Sequence, residues 1–141
     1  MDAPVTQHAA IRVLIAEDDP DIGAVLALAL RESAAVTVVP DAEAALALLE
    51  TGERFDLIVS DYGLPGMCGV EFVERLCENG ARPTPVLMIS GHLALDDGTR
   101  ARASGIEAFL CKPFSMGELR RTVGRLVDGA KRRTEVGRFL A

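Results

Sequence analysis

The chain has no tryptophan, a single tyrosine and only three cysteines in 141 residues. Cys68, Cys77 and Cys111 are odd in number and widely spaced, without a paired-ligand pattern. That excludes a disulfide framework and a zinc site, and leaves them as small core or surface residues. No apolar run approaches the roughly 20 residues of a bilayer span. The start, Met1-Asp2-Ala3-Pro4, lacks the basic and apolar regions of a secretion signal, so a cytoplasmic protein with no membrane contact is expected. Positive charge is short as well: the net charge of -6 argues against direct nucleic-acid binding, which requires a basic surface to neutralise phosphates. What is abundant is alanine, leucine and valine. With 49% hydrophobic and 26% charged residues, one domain of this length buries a substantial core unaided.

Residues 1–10 form a polar lead-in. Ile11-Arg12-Val13-Leu14-Ile15-Ala16 then reads as a buried strand that stops at Glu17-Asp18-Asp19-Pro20. Ile22, Val25, Leu26, Ala29 and Leu30 recur at helical spacing, with Asp21 near the positive end of the helix dipole. Val36–Val39 is a short β-branched strand, and Asp41 is placed to cap a helix with stripe Ala42, Ala45, Leu46 and Leu49 that Gly52 ends. Leu57-Ile58-Val59-Ser60-Asp61 is a third strand, and Gly63, Pro65 and Gly66 turn the chain outward after it. A third helix follows from Gly69 to Asn79, with stripe Val70, Val73, Leu76 and Cys77. Val86–Ser90 is a fourth strand. A fourth, weakly patterned helix is predicted between Leu93 and Ser104, a fifth strand over Ala108–Cys111, and a fifth helix from the capping box Ser115-Met116-Gly117-Glu118, burying Leu119, Val123, Leu126 and Val127. Runs apolar at every position belong to parallel strands covered on both faces. The expectation is an α/β fold: a three-layer, doubly wound, five-stranded parallel sheet of order 2-1-3-4-5, flavodoxin-like, with right-handed crossovers. The domain spans residues 11–128. A tail over 129–141 with net charge +3, set against -9 for the remainder, could end in solvent, lie on the acidic body, extend the last helix or dock on a partner.

That strand order brings the ends of the first and third strands to one crevice, so Glu17, Asp18 and Asp61 converge. Clustered carboxylates stay ionised only beside a cation, and otherwise their pKa values rise. The all-oxygen set suits Mg2+ or Mn2+, with Asp18 and Asp61 as ligand candidates and Glu17 acting through water. A carboxylate held beside such an ion can attack phosphorus to give an acyl phosphate, which makes Asp61 the candidate nucleophile. Lys112 can bring a cation to a phosphoryl oxygen, and Ser90 a hydroxyl. Each residue alone has an ordinary structural explanation, but strands one, three, four and five ending in acids, Asp, Ser and Lys-Pro form a joint pattern that coincidence does not produce.

With Glu17-Asp18, Asp61-Tyr62-Gly63-Leu64-Pro65-Gly66-Met67-Cys68-Gly69, Ser90-Gly91 and Lys112-Pro113-Phe114 in view, the chain resembles the response-regulator receiver family, the CheY-like domain of two-component signalling. The resemblance covers residues 11–128. It implies that Asp61 takes a phosphoryl group from a phosphohistidine of a sensor histidine kinase or phosphotransfer protein. It implies Mg2+ held by Asp18, Asp61 and the Gly63 carbonyl, with Glu17 assisting. Ser90 would move toward the phosphate and Phe109 rotate inward, passing the signal through the fourth helix, fifth strand and fifth helix to a downstream effector, a face that could also form a homodimer. Such a chain is a phosphoacceptor that promotes its own phosphorylation and dephosphorylation, not an enzyme acting on other molecules.

Gly63 removes a side chain beside the phosphate, and His92 puts an imidazole on the other flank; both bear on phosphoryl lifetime, and His92 could add pH sensitivity. A flavodoxin-type binder would need a Ser/Thr/Gly-rich loop where Glu17-Asp18-Asp19 stands. A haloacid-dehalogenase-like phosphatase would carry an Asp-x-Asp nucleophile after strand one. A receiver-like interaction module that is never phosphorylated is the remaining alternative, although neither the acids nor the lysine are missing. No second domain is visible after residue 128, so a stand-alone regulator, a relay shuttle and a piece of a hybrid kinase all fit.

Overall fold

The computed structural model describes residues 11–78, 84–91 and 106–140. Five parallel strands, β1 (Ile11–Ala16), β2 (Ala34–Val39), β3 (Leu57–Asp61), β4 (Val86–Ser90) and β5 (Ala108–Cys111), pair in the order β2-β1-β3-β4-β5. The helices are α1 (Pro20–Leu30), α2 (Ala42–Glu50), α3 (Gly69–Glu78) and α4 (Met116–Leu140). The helix expected between Leu93 and Ser104 lies outside the described residues, and α4 is the one expected to follow β5.

The continuous apolar runs bury because both sheet faces are covered. Leu14, Ala16, Ile58 and Met88 face α2 and α3, while Val13, Ile15, Leu57, Val59, Leu87 and Ile89 face α1 and α4. Fully burying each such side chain stabilises the fold by roughly 1.5–3 kcal/mol. Arg120 on α4 also donates from Nε to the Ala29 carbonyl at 2.9 Å, tying the two helices of one layer together.

The helix ends follow local chemistry. Asp41 accepts from the Ala44 amide at 2.7 Å and caps α2; Gly52, with φ +97°, follows it in a conformation that only glycine adopts readily. Ser115 and Glu118 make the reciprocal capping box of α4, at 3.0 and 3.1 Å.

Two helical stripes differ from expectation. Val25 is 48% exposed, and Gly23 takes the inward place because α1 lies so close to β2 that a Cβ there would sit 3.0 Å from Val38 Cγ1. In α3, Cys77 is exposed and Phe72 is fully buried. Phe72 stands three residues after Gly69 and four before Leu76, squarely in the stripe, whereas Cys77 shares the face of Val70 and Val73 but stands in the last turn of a helix that ends at Glu78. β2 starts two residues earlier than the β-branched run, as the edge strand pairing with the whole of β1. The backbone of the basic tail continues α4 as helix to Leu140.

Candidate functional site

Register alone gathers the site. In the parallel sheet Ala16 pairs with Ser60, Asp61 with Ile89, and Ser90 with Cys111. Glu17-Asp18, Asp61, Ser90 and Lys112 therefore all lie at the carboxyl edge of adjacent strands. The turn after Asp61 is held by the Tyr62 amide donating to the Ile89 carbonyl at 2.8 Å and the Gly63 amide donating to Asp61 Oδ1 at 3.2 Å. On β5, the Lys112 amide donates to the Ser90 carbonyl at 2.8 Å, so the lysine leaves the sheet beside the serine.

Glu17, Asp18 and Asp61 each offer a carboxylate oxygen within 4.8 Å of the others, the one such acid group among the described residues. They differ in setting: Glu17 is buried, Asp61 half-buried and Asp18 exposed. Burial pushes the Glu17 carboxyl above its ordinary value of 4.5, and the Asp61 charge and a hydrogen bond with Asp18 push the same way. The Asp19 amide, donating to Glu17 Oε2 at 3.0 Å, and Lys112 pull it down. Lys112 Nζ stands 3.8 Å from Asp61 Oδ2, with their side chains 34% and 17% exposed. The pair is close enough to attract and open enough for a ligand to enter between the groups.

The third acid of the run goes elsewhere. Asp19 accepts from the amides of Asp21 and Ile22 at 2.9 and 3.4 Å and caps α1. An acid before Pro at the first helical position is the sequence signal for such a cap. Ser90 is buried at 6% exposure. Gly63 is exposed, and a Cβ there would meet nothing within 4 Å, so the flank beside Asp61 is open. Phe109 is half-buried against the α2–α3 core, with its ring centroid 6.4 Å from that of Tyr62. His92 lies outside the described residues.

The chain is similar to known proteins. Residues 13–124 match the family described as the response regulator receiver domain. The transcriptional regulatory protein TcrA of Mycobacterium tuberculosis is 37% identical over 110 residues, which span 77% of this chain and 43% of that protein. The chain thus spans less than half the length of that relative. The sensor histidine kinase AruS of Pseudomonas aeruginosa is 35% identical over 127 residues, 87% of this chain and 13% of the kinase. The structure of the chemotaxis protein CheY4 of Vibrio cholerae superposes with a TM-score of 0.78 at 30% identity, covering 84% of this chain and 99% of that one. A sheet of this order with its acids and lysine on one edge, matched by a family that covers most of its length, leads to one conclusion: the chain belongs to the response-regulator receiver domain family.

Proposed function

We propose that Asp61 accepts a phosphoryl group from a phosphohistidine and that the resulting charge switches the conformation read by a downstream partner. The observation that carries this reading is the carboxylate cluster of Glu17, Asp18 and Asp61 facing the Lys112 ammonium across Asp61.

The donor set fits a divalent cation, since it is all oxygen and Glu17 is driven toward its neutral form by its surroundings. Asp18, Asp61 and the Gly63 carbonyl would hold Mg2+ or Mn2+, with Glu17 behind them. When bound, the ion neutralises the crowded carboxylates and the charge on the transferring group.

An Asp61 carboxylate oxygen attacks phosphorus; the new O–P bond forms as the N–P bond to the donor imidazole breaks and its electron pair returns to the nitrogen. Lys112 swings from its ion pair with Asp61 to a phosphoryl oxygen, and the Ser90 hydroxyl donates to another. The phosphate adds about -1.5 to -2 charges. Because those contacts exist in one arrangement only, the phosphate shifts the equilibrium toward it. Phe109 follows Ser90 inward and changes the face made by β5 and α4. The chain turns over only its own Asp61, and so is a phosphoacceptor and not an enzyme in the ordinary sense.

A sensor histidine kinase or phosphotransfer protein supplies the phosphoryl group and an effector protein reads the result; a homodimer through the β5–α4 face is one form of that readout. No helix among the described residues is long and apolar enough to cross a membrane, and a cytoplasmic site of action accords with a kinase donor.

Acetyl phosphate with Mg2+ is expected to add one phosphate, read by intact mass, and Asp61→Asn to abolish it. Uptake that persists in Asp61→Asn would refute the nucleophile. No uptake by the wild-type chain would favour an unphosphorylated interaction module. Asp18→Ala is expected to weaken Mg2+ binding, and unchanged affinity would remove Asp18 from the metal site.

A further inference from the structure

We propose that Tyr62 is a positioning residue of the switch, coupling the backbone next to Asp61 to the ring of Phe109, and that Gly69 is the gap that lets it do so. The inference rests on the phosphoacceptor reading of Asp61 and adds to it a packed route by which the event is felt on β5.

Tyr62 is clamped at its backbone on both sides. Its amide donates to the Ile89 carbonyl of β4 at 2.8 Å, and its carbonyl accepts from the Gly69 amide at the start of α3 at 3.1 Å. The peptide unit following the acceptor is thus fixed to the strand that carries Ser90 and to the helix behind. A shift of Asp61 toward a new bond must pass into the Tyr62 side chain, because the backbone around it has little slack.

Gly69 and Phe109 are among the ring's described neighbours. On one side is Gly69: a Cβ built there would lie 2.8 Å from Tyr62 Cδ1, and 3.0 and 3.1 Å from Met88 Sδ and Cε. No real Cβ tolerates 2.8 Å from an aromatic carbon, so the ring occupies space that exists because residue 69 has no side chain. Phe109 also stands against the ring, ring centroids 6.4 Å apart and planes tilted by 52°, a separation at which aromatic pairs attract. Met88 pairs with Phe109 in the sheet register and closes the cluster from below. Tyr62 and Phe109 are both only half-buried, whereas Met88 is fully buried. Two rings in contact over a buried floor do not turn independently: the space Phe109 enters is set by where Tyr62 stands.

A side chain at 69 would displace the tyrosine ring from its place and so disturb its packing against Phe109. Gly69→Ala is therefore expected to weaken the coupling between the two rings.

The chain has one tyrosine, so 3-fluorotyrosine labels Tyr62 alone and fluorine NMR reads its surroundings. Acetyl phosphate with Mg2+ is expected to shift the wild-type resonance. Per phosphate bound, measured by intact mass on the same sample, Phe109→Leu is expected to remove most of that shift. Phe109→Trp, which keeps an aromatic pair and adds no second tyrosine to the label, is expected to restore it. Gly69→Ala is expected to displace the resonance before any phosphate is added and to reduce the phosphate-dependent shift; should that variant fail to fold, the Phe109 pair decides. Phosphate uptake with an unmoved resonance, or a shift of wild-type size in Phe109→Leu, overturns the coupling and leaves the Asp61 assignment standing. Absence of uptake in the wild type overturns both.

Discussion

Glu17 is the residue whose setting is least like its composition. A buried acid beside two others is held above its ordinary value of 4.5 by burial first and by Asp61 next, so in the metal-free protein the folded state binds its proton more tightly than the unfolded chain does. The sign follows: this group's contribution is fully present below its unfolded value and is lost as pH rises through its folded one. Glu17→Gln, which removes the charge, is expected to raise the thermal midpoint of the metal-free protein at neutral pH, with the difference from wild type shrinking as the pH falls toward 4.5. Thermal melts across that range, in chelator, check it. A difference that grows on acidification would contradict the assigned cause. Lys112 poses a separate question at the same scale. Its ammonium stands 3.8 Å from Asp61 and meets the charge that develops on the phosphoryl oxygens. Losing one such preorganised donor typically costs about 10²–10³-fold in rate, so Lys112→Ala is expected to slow phosphate uptake from acetyl phosphate by about that factor.

Among the elements, α3 shows how a periodic reading can be correct in kind and displaced in detail. Val70, Val73 and Leu76 are buried, but Phe72 is buried with them and Cys77 is not. Phe72→Ala is expected to cost about 3–5 kcal/mol through the cavity it leaves, whereas Cys77→Ser is expected to fall within about 0.5 kcal/mol of wild type. Urea denaturation of the two variants separates these stripes directly. The caps were more legible. Asp41 and the Ser115–Glu118 pair stand where a side-chain oxygen meets orphan amides within three residues, a relation that sequence spacing contains in full. Asp19 obeys the same rule one residue before Pro20. Helix α1 was harder to read because two of its apolar residues, Val25 and Leu28, face outward at 48% and 57% exposure, and no periodicity distinguishes an outward valine from an inward one when neighbours on both sides are apolar.

For the molecule as a whole, the acids come from the ends of β1 and β3 and the lysine from the end of β5. They meet only because five strands are assembled in one order. A cation that bridges Asp18 and Asp61 links parts of the chain far apart in sequence, so its binding energy appears as global stability. Mg2+ at about 100 times its dissociation constant is expected to add about 2.7 kcal/mol to the wild-type protein. Calorimetry of wild type and Asp18→Ala with and without Mg2+ checks this, the variant being expected to lose most of the gain.

The sequence by itself determined the five strands, the described helices and the residue types at the strand ends, because hydrophobic period, caps and turn residues are local properties of neighbouring amino acids. It also marked Asp61, since a continuous apolar run ending in an acid before Gly and Pro has few other readings. Only the tertiary structure decided that Glu17 is buried while Asp18 stays exposed, that Asp19 turns away to cap α1, and that Tyr62 rests in the space left by Gly69 against Phe109. Those outcomes depend on distances between residues tens of positions apart, and such distances are set by how the two layers close on the sheet rather than by any pattern along the chain.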